Sequence, residues 1–426
     1  MSRARLAAIC IGIVLVAAGV AAGSRIRRTR QGERALARAR DAMAVPLEDG
    51  APRCEAAERD AKRASDLLES REAHALAHLA RACRDLDRGD LVMAEGELNS
   101  ARRLGGSAFA RSALETWEGH VRLASGRGDE AATAFSRALA ADPQSARARM
   151  GLGDALMDLG EPARAAAEYR RTLRDHPRVA VLHNRLGLAL AATDDPRAAE
   201  GAYRRSAALD DRAAEPWNNL GNLVRGSGQV DAARAAYREA ERRAPADALV
   251  QFNLGILELA SGHASDAERH LRRAIELDPR DPDAHAALAE TLASTGRLVD
   301  AERTYAEALR LDARNPATWS NLGVVYTRLD RRPEAERAFR KALELRPAMP
   351  EALNGLGSTL LGEGKLEEAA RALAEAARLA PDQPQAHFNL AVLYERQGRT
   401  ADARESMGRA CALGATPACE RMRRIR

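Results

Sequence analysis

The chain has 426 residues, 46% of them apolar but only 3% aromatic, with a formal net charge of +5. Six arginines and no acid lie in residues 1–30, and Arg421, Arg423, Arg424 and Arg426 oppose a single Glu420 near the C-terminus, so the body between is slightly acidic. No basic stripe for phosphate is left, and no nucleic-acid partner is expected. Abundant Ala, Arg, Leu and Glu, with no alternating Val/Ile/Thr-rich run, predict an all-helical protein.

Leu6 to Gly23 is a run of eighteen residues without a charge. As a helix it spans ~27 Å, about one hydrocarbon core. A cleaved secretory signal is the competing reading, since small residues near Ala21–Gly23 suit a peptidase. The run is long for such a signal, and Arg25, Arg27 and Arg28 follow at once, so residues 1–30 are read as a membrane anchor with basic flanks. Cys10 sits inside the run, after Ile9, and is not read as a lipoprotein cysteine. Four arginines after the span against two before it favour a cytoplasmic body. Four cysteines outside the span, Cys54, Cys83, Cys411 and Cys419, favour an exported one. The expectation is a single-pass protein of a bacterial inner membrane with a periplasmic body, the cytoplasmic side being the alternative; the arginine-rich, lysine-poor composition points to a bacterial envelope.

Residues 31–108 read as a divergent helical cap. Two amphipathic stretches within 31–72 are broken by VPLEDGAP, and 75–108 carries Gly89, Ala94, Leu98 and Ala101 in the order that the following units keep. From Ser112 to Pro417 a 34-residue register recurs nine times, with starts at 112, 146, 180, 214, 248, 282, 316, 350 and 384. In the unit starting at 316, Trp319, Leu322, Gly323 and Tyr326 hold positions 4, 7, 8 and 11; Ala335, Phe339, Ala342 and Pro347 hold 20, 24, 27 and 32. Departures are local: Ala289 and Ala391 replace the glycine at 8, and Asp211 and Ala313 the proline at 32. Residues 418–426 remain as a basic capping tail.

This pattern resembles the tetratricopeptide repeat, TPR. The resemblance implies a right-handed α-solenoid of antiparallel helix pairs, A and B. Positions 4, 7, 8 and 11 then form the buried stripe of helix A, and 20, 24 and 27 that of helix B. Gly at position 15 marks the turn between them. Trp319 and Tyr326 are thereby core residues, with no chemistry of their own.

In the family the inner face of the solenoid is lined by positions 2, 5, 6, 9, 12 and 13 of helix A. Eight of the ten asparagines fall there: Asn219, Asn253, Asn321 and Asn389 at 6, Asn184, Asn218 and Asn354 at 5, and Asn222 at 9. A carboxamide both donates and accepts, which suits the main chain of an extended peptide, and the arrangement resembles the asparagine ladder in the TPR part of O-GlcNAc transferases. Asn at position 6 is also common in the family without a known ligand. Phe252 and Phe388 at position 5 are predicted either to anchor a partner or to pack on neighbouring helices. No cation occupies position 5, so the carboxylate clamp of chaperone-binding TPR domains is absent. Cys411 and Cys419 are spaced as in Sel1-like, cysteine-rich repeat proteins, a resemblance that implies a bridge between them. Cys54 and Cys83 can pair if 52–69 and 72–88 form an antiparallel hairpin; buried thiols are the alternative for both.

Motifs for chemistry fail. GLGSTLLGEGK (355–365) has Glu363 where a phosphate loop needs lysine, GLGDAL (151–156) is explained by helix packing, and His74 with His78 has no third metal ligand. No catalysis, cofactor, metal or small-molecule substrate is expected. The reading is a membrane-anchored scaffold binding proteins or extended peptides in its groove, or else a non-catalytic subunit of an envelope enzyme or glycosyltransferase complex.

Overall fold

The computed structural model describes residues 25, 27–43, 54–68 and 70–424. The apolar run at 6–23, with Cys10, and the VPLEDGAP segment lie outside the described residues. Among those described, no helix is long and apolar enough to cross a membrane, and helices joined by turns are the only regular structure. The chain divides into two bodies, Met1–Ser227 and Gly228–Arg426. The division falls in the turn between the two helices of the unit starting at 214.

The N-terminal body begins with α1 (27–43), α2 (Cys54–Leu68), α3 (Arg71–Asp87) and α4 (Leu91–Leu104). Alanines make this packing close: Ala39, Ala57, Ala61 and Ala80 are all fully buried around Leu76 and Leu79. A disulfide joins Cys54 at the start of α2 to Cys83 near the end of α3, with Cα atoms 5.6 Å apart. Arg38 on α1 forks onto Asp60 of α2 at 2.7–3.1 Å. Then follow α5 (Ala108–Ala124), α6 (Gly128–Ala141), α7 (Ala146–Asp158), α8 (Pro162–Asp175), α9 (Ala180–Ala192), α10 (Pro196–Leu209) and α11 (Glu215–Gly226). Helix α5 is 17 residues long against 13 for α7. It starts four residues ahead of the register, capped by Ser107. Residues 109–111, between the cap and the first repeat, are therefore an added helical turn and not a loop.

The C-terminal body holds α12 (Val230–Arg243), α13 (Ala248–Ala260), α14 (Ala264–Leu277), α15 (Pro282–Ser294), α16 (Leu298–Leu311), α17 (Pro316–Arg328), α18 (Arg332–Leu345), α19 (Pro350–Gly362), α20 (Leu366–Leu379), α21 (Pro384–Arg396), α22 (Thr400–Ala412) and α23 (Thr416–Arg424). The last is the expected tail. Ala418 and Met422 of α23 cover Met407 and Ala410 of α22, and a disulfide joins Cys411 to Cys419 with Cα atoms 4.7 Å apart.

Helix pairs with glycine at position 8 and a ring at position 24 close on the same contact. A Cβ added at Gly119 would stand 2.6 Å from the Phe135 ring, and one at Gly323 would stand 2.8 Å from Phe339. The ring at position 24 thus takes the space that a side chain at position 8 would fill. The fully buried large side chains include Phe135, Tyr169, Tyr237, Tyr305 and Phe339, all at position 24. Trp319 and Tyr326, expected in the core, are half-buried at its edge, bordering two successive clusters. The Arg331 guanidinium lies 4.7 Å from the Tyr326 ring, and Arg399 lies 4.3 Å from Tyr394 in the same relation.

The turn at position 15 needs left-handed backbone. Seven units supply glycine, from Gly126 (φ +69°) to Gly398 (φ +73°). In the other two, Asp194 and Asp330 adopt φ +58° and +56°. A side chain in that region costs energy that glycine avoids, offset by glycine's freer unfolded chain. Asp330→Gly and Asp194→Gly are each expected to raise stability by about 0.5 kcal/mol, read as an upward shift in the urea midpoint. A lowered midpoint would show that the aspartates stabilise their turns in some other way.

Candidate functional groove

The A helices touch in succession, α5 on α7 and α9 on α11 in the N-terminal body, and α13, α15, α17, α19 and α21 in the C-terminal body. Their stripes at 4, 7, 8 and 11 are consumed by packing, so positions 2, 6, 9 and 13 turn away from the core. That face is the candidate groove.

The asparagines on it divide into three kinds. Asn184, Asn218 and Asn253 are buried; Asn219, Asn222, Asn354 and Asn389 are half-buried; Asn321 is exposed. Two pairs bridge successive A helices. Asn219 donates to Asn184 at 3.1 Å, and Asn389 donates to Asn354 at 2.8 Å, position 6 onto position 5 of the repeat before. Burial pushes the ionisation of Tyr305 well up, opposed by the nearby Asn321 side chain. The uniform open ladder is therefore replaced by amides partly spent on stacking the repeats. Phe252 and Phe388 are half-buried as well. Phe252 packs on the cluster around Leu271 and Leu288, and Phe388 on that around Ala391 and Met407, so both are edges of the core.

A rule links these positions across helices. Tyr169, Tyr203, Tyr237 and Tyr305 at position 24 are followed sixteen residues later by Arg185, Asn219, Asn253 and Asn321; Phe135 and Phe339 are followed by Gly151 and Gly355. The Phe135 ring occupies the place of a Cβ at Gly151, and the Phe339 ring that at Gly355. A tyrosine brings a buried hydroxyl that needs a partner, whereas a phenylalanine brings none and lies flat on the next backbone.

Charged side chains that asparagine counting overlooks lie on the groove of the N-terminal body. Asp154, at position 9, accepts from Tyr169 at 2.7 Å and from Arg185 at 2.6 Å. Burial pushes the Asp154 carboxyl up, opposed by Arg185 and the tyrosine hydroxyl. Arg147, at position 2, lies 5.5 Å from the Trp117 ring and donates to the Met43 carbonyl at 2.9 Å; burial pushes it down to about 10. His120 stacks edge-on against Phe135 at 5.0 Å, and burial, helped by Arg147 and Arg185, pushes it down to about 3. It is a neutral ring. The common register positions 2, 6 and 9, rather than a residue type, are the signal that finds this group.

The rejected motifs are placed by packing too. Gly355 and Gly357 lie inside α19 against Phe339 and Leu373. His78 Nδ1 is 2.6 Å from Glu97, and His74 Nδ1 is 2.8 Å from the Ser70 carbonyl, so the two histidines are turned to separate partners.

Stacked A/B hairpins with this groove define a TPR-type α-solenoid. The chain belongs to the cilia and flagella-associated protein 70 C-terminal domain family, which matches residues 64–310 and, overlapping, 219–424. No curated protein matches it. Among solved structures it is similar to the APC/C hetero-tetramer Cut9–Hcn1, at 18% identity and TM-score 0.50, covering 81% of this chain and 73% of that one. It is also similar to PilF of Pseudomonas aeruginosa, at 22% identity and TM-score 0.45 over 50% and 96% of the two chains. YrrB, a TPR protein with an unusual peptide-binding site, matches at 22% identity and TM-score 0.38, over 43% and 95%. These likenesses are of fold alone.

Proposed function

We propose that this protein is a non-catalytic scaffold that holds a protein or an extended peptide against its A-helix groove. The observation that carries the reading is the split use of one helix. Its apolar stripe is exhausted by neighbours, while the opposite face keeps exposed side chains such as Asn321 and Val324. The setting is proposed from the sequence: the charge-free run Leu6–Gly23, placed at a bacterial inner membrane, would tether the scaffold to the envelope with its repeats in the periplasm. A non-catalytic place in an envelope enzyme or glycosyltransferase complex is the second form of the same reading.

Because Asn253 is buried and Asn321 exposed, position 321 is the place for a photo-crosslinker. Capture of a partner from 321, several-fold above capture from exposed Arg337 on α18, is expected. Asn321→Ala should weaken that partner by about 1 kcal/mol, the size of one net hydrogen bond, without loss of helicity. Equal capture from both positions would remove the groove from the proposal.

A further inference from the structure

Positions 2 and 9 of helix A are seven residues apart, two turns along the same outward face. In the C-terminal body their chemistry alternates from one A helix to the next. Position 9 runs Ile256, Glu290, Val324, Ser358, Val392, and position 2 runs Leu249, Asp283, Ala317, Glu351 in the same phase, which Gln385 then ends. The alternation at position 9 is already present upstream, at Asp154, Leu188 and Asn222. Core packing accounts for Ile256 and Val392, which border buried clusters, but not for the rest. Leu249 and Val324 are 56% and 47% exposed, and Asp283, Glu290 and Glu351 are exposed as well. Single exposed apolar residues are ordinary; from α13 to α19 the two positions alternate together, which is a pattern.

Charge sharpens it. Asp283 and Glu290 have no cation paired with them among the described residues. The arginines at the far end of this face are occupied: Arg328 donates to the Ala293 carbonyl and Arg396 to that of Leu361, each at 2.6 Å. The α15 band is therefore acidic and unmatched, with apolar bands on α13 and α17 to either side.

We infer that this face reads a polyproline-type segment whose every third residue alternates between apolar and basic. Packed helices lie ~8–10 Å apart, and a left-handed polyproline helix advances ~9.3 Å in three residues and returns to the same face. A β-strand fits poorly, because residues three apart point to opposite sides. The register then puts an apolar side chain on α13 and on α17, six residues apart, with a lysine or arginine midway over Asp283 and Glu290. Such a segment is already extended when free, so little ordering entropy opposes its binding.

This inference rests on the scaffold reading and narrows its partner. The test uses the full chain and three fluorescent synthetic peptides, each of about thirteen residues in a proline background. The matched peptide has leucine at every sixth residue and lysine midway between; the shifted one moves each lysine by one residue; the third replaces lysine by glutamate. Anisotropy titration is expected to show the matched peptide binding about tenfold tighter than either other, with a preference that fades as salt rises. Asp283→Lys together with Glu290→Lys, both at exposed sites, should leave helicity intact and transfer the preference to the glutamate peptide. Equal binding of matched and shifted peptides overturns the inference, as does no binding of any. Capture from position 321 persisting beside that failure would keep the scaffold and remove only the register; loss of both would remove the scaffold too.

Discussion

Phe339→Ala is expected to destabilise the C-terminal body by about 3–5 kcal/mol, the upper range for deleting a buried ring. The ring is 1% exposed and lies between two backbones, Gly323 of α17 and Gly355 of α19. Neither glycine has a side chain to move into the space, so the cavity stays open and its cost is not recovered by collapse. Phe339→Leu should cost less than about 1.5 kcal/mol, since Leu271 and Leu373 hold the same position in sister repeats. In a solenoid the loss falls on nearest neighbours. Amide exchange should therefore speed in α17 to α20 while α13 and α14 keep their protection. An alanine variant as stable as the leucine variant would refute the wedge.

Opening the Cys54–Cys83 bridge is the second large effect expected. The cysteines are 29 residues apart, and closing a loop of that length constrains the unfolded chain by about 3.5 kcal/mol. Both cysteines are buried in one cluster with Leu79, Ala80 and Leu98. Reductant should lower the melting of α1 to α4 by several degrees, and Cys54→Ser with Cys83→Ser should abolish that response. The Cys411–Cys419 bridge spans 8 residues, so its loss should cost less, about 2.5 kcal/mol. Identical melting with and without reductant would show that the cysteines are free in the folded chain.

The hairpin register was legible because its causes are local. A small residue at 8, alanine at 20 and a large apolar side chain at 24 meet within one helix pair, so every repeat states the same demand, and the turns at Asp194 and Asp330 keep their shape without glycine. The groove was legible only as a face. Reading asparagine as one class missed that Asn184 and Asn354 accept from the next repeat. It also passed over Asp154, Arg147 and Arg185, which share the face but not the residue type. Two pairs among the eight asparagines combine outward placement with a partner in the neighbouring repeat.

By itself the sequence determined that this is a helical repeat protein, how many hairpins follow Ser112, and which side chains each hairpin encloses, since these depend on spacings within 34 residues. Tertiary structure decided which outward side chains are still available. That depends on contacts across repeats: Asn219 and Asn389 are drawn onto the A helix before them and Arg185 onto Asp154, while the Phe135 and Phe339 rings leave room only for glycine at position 6.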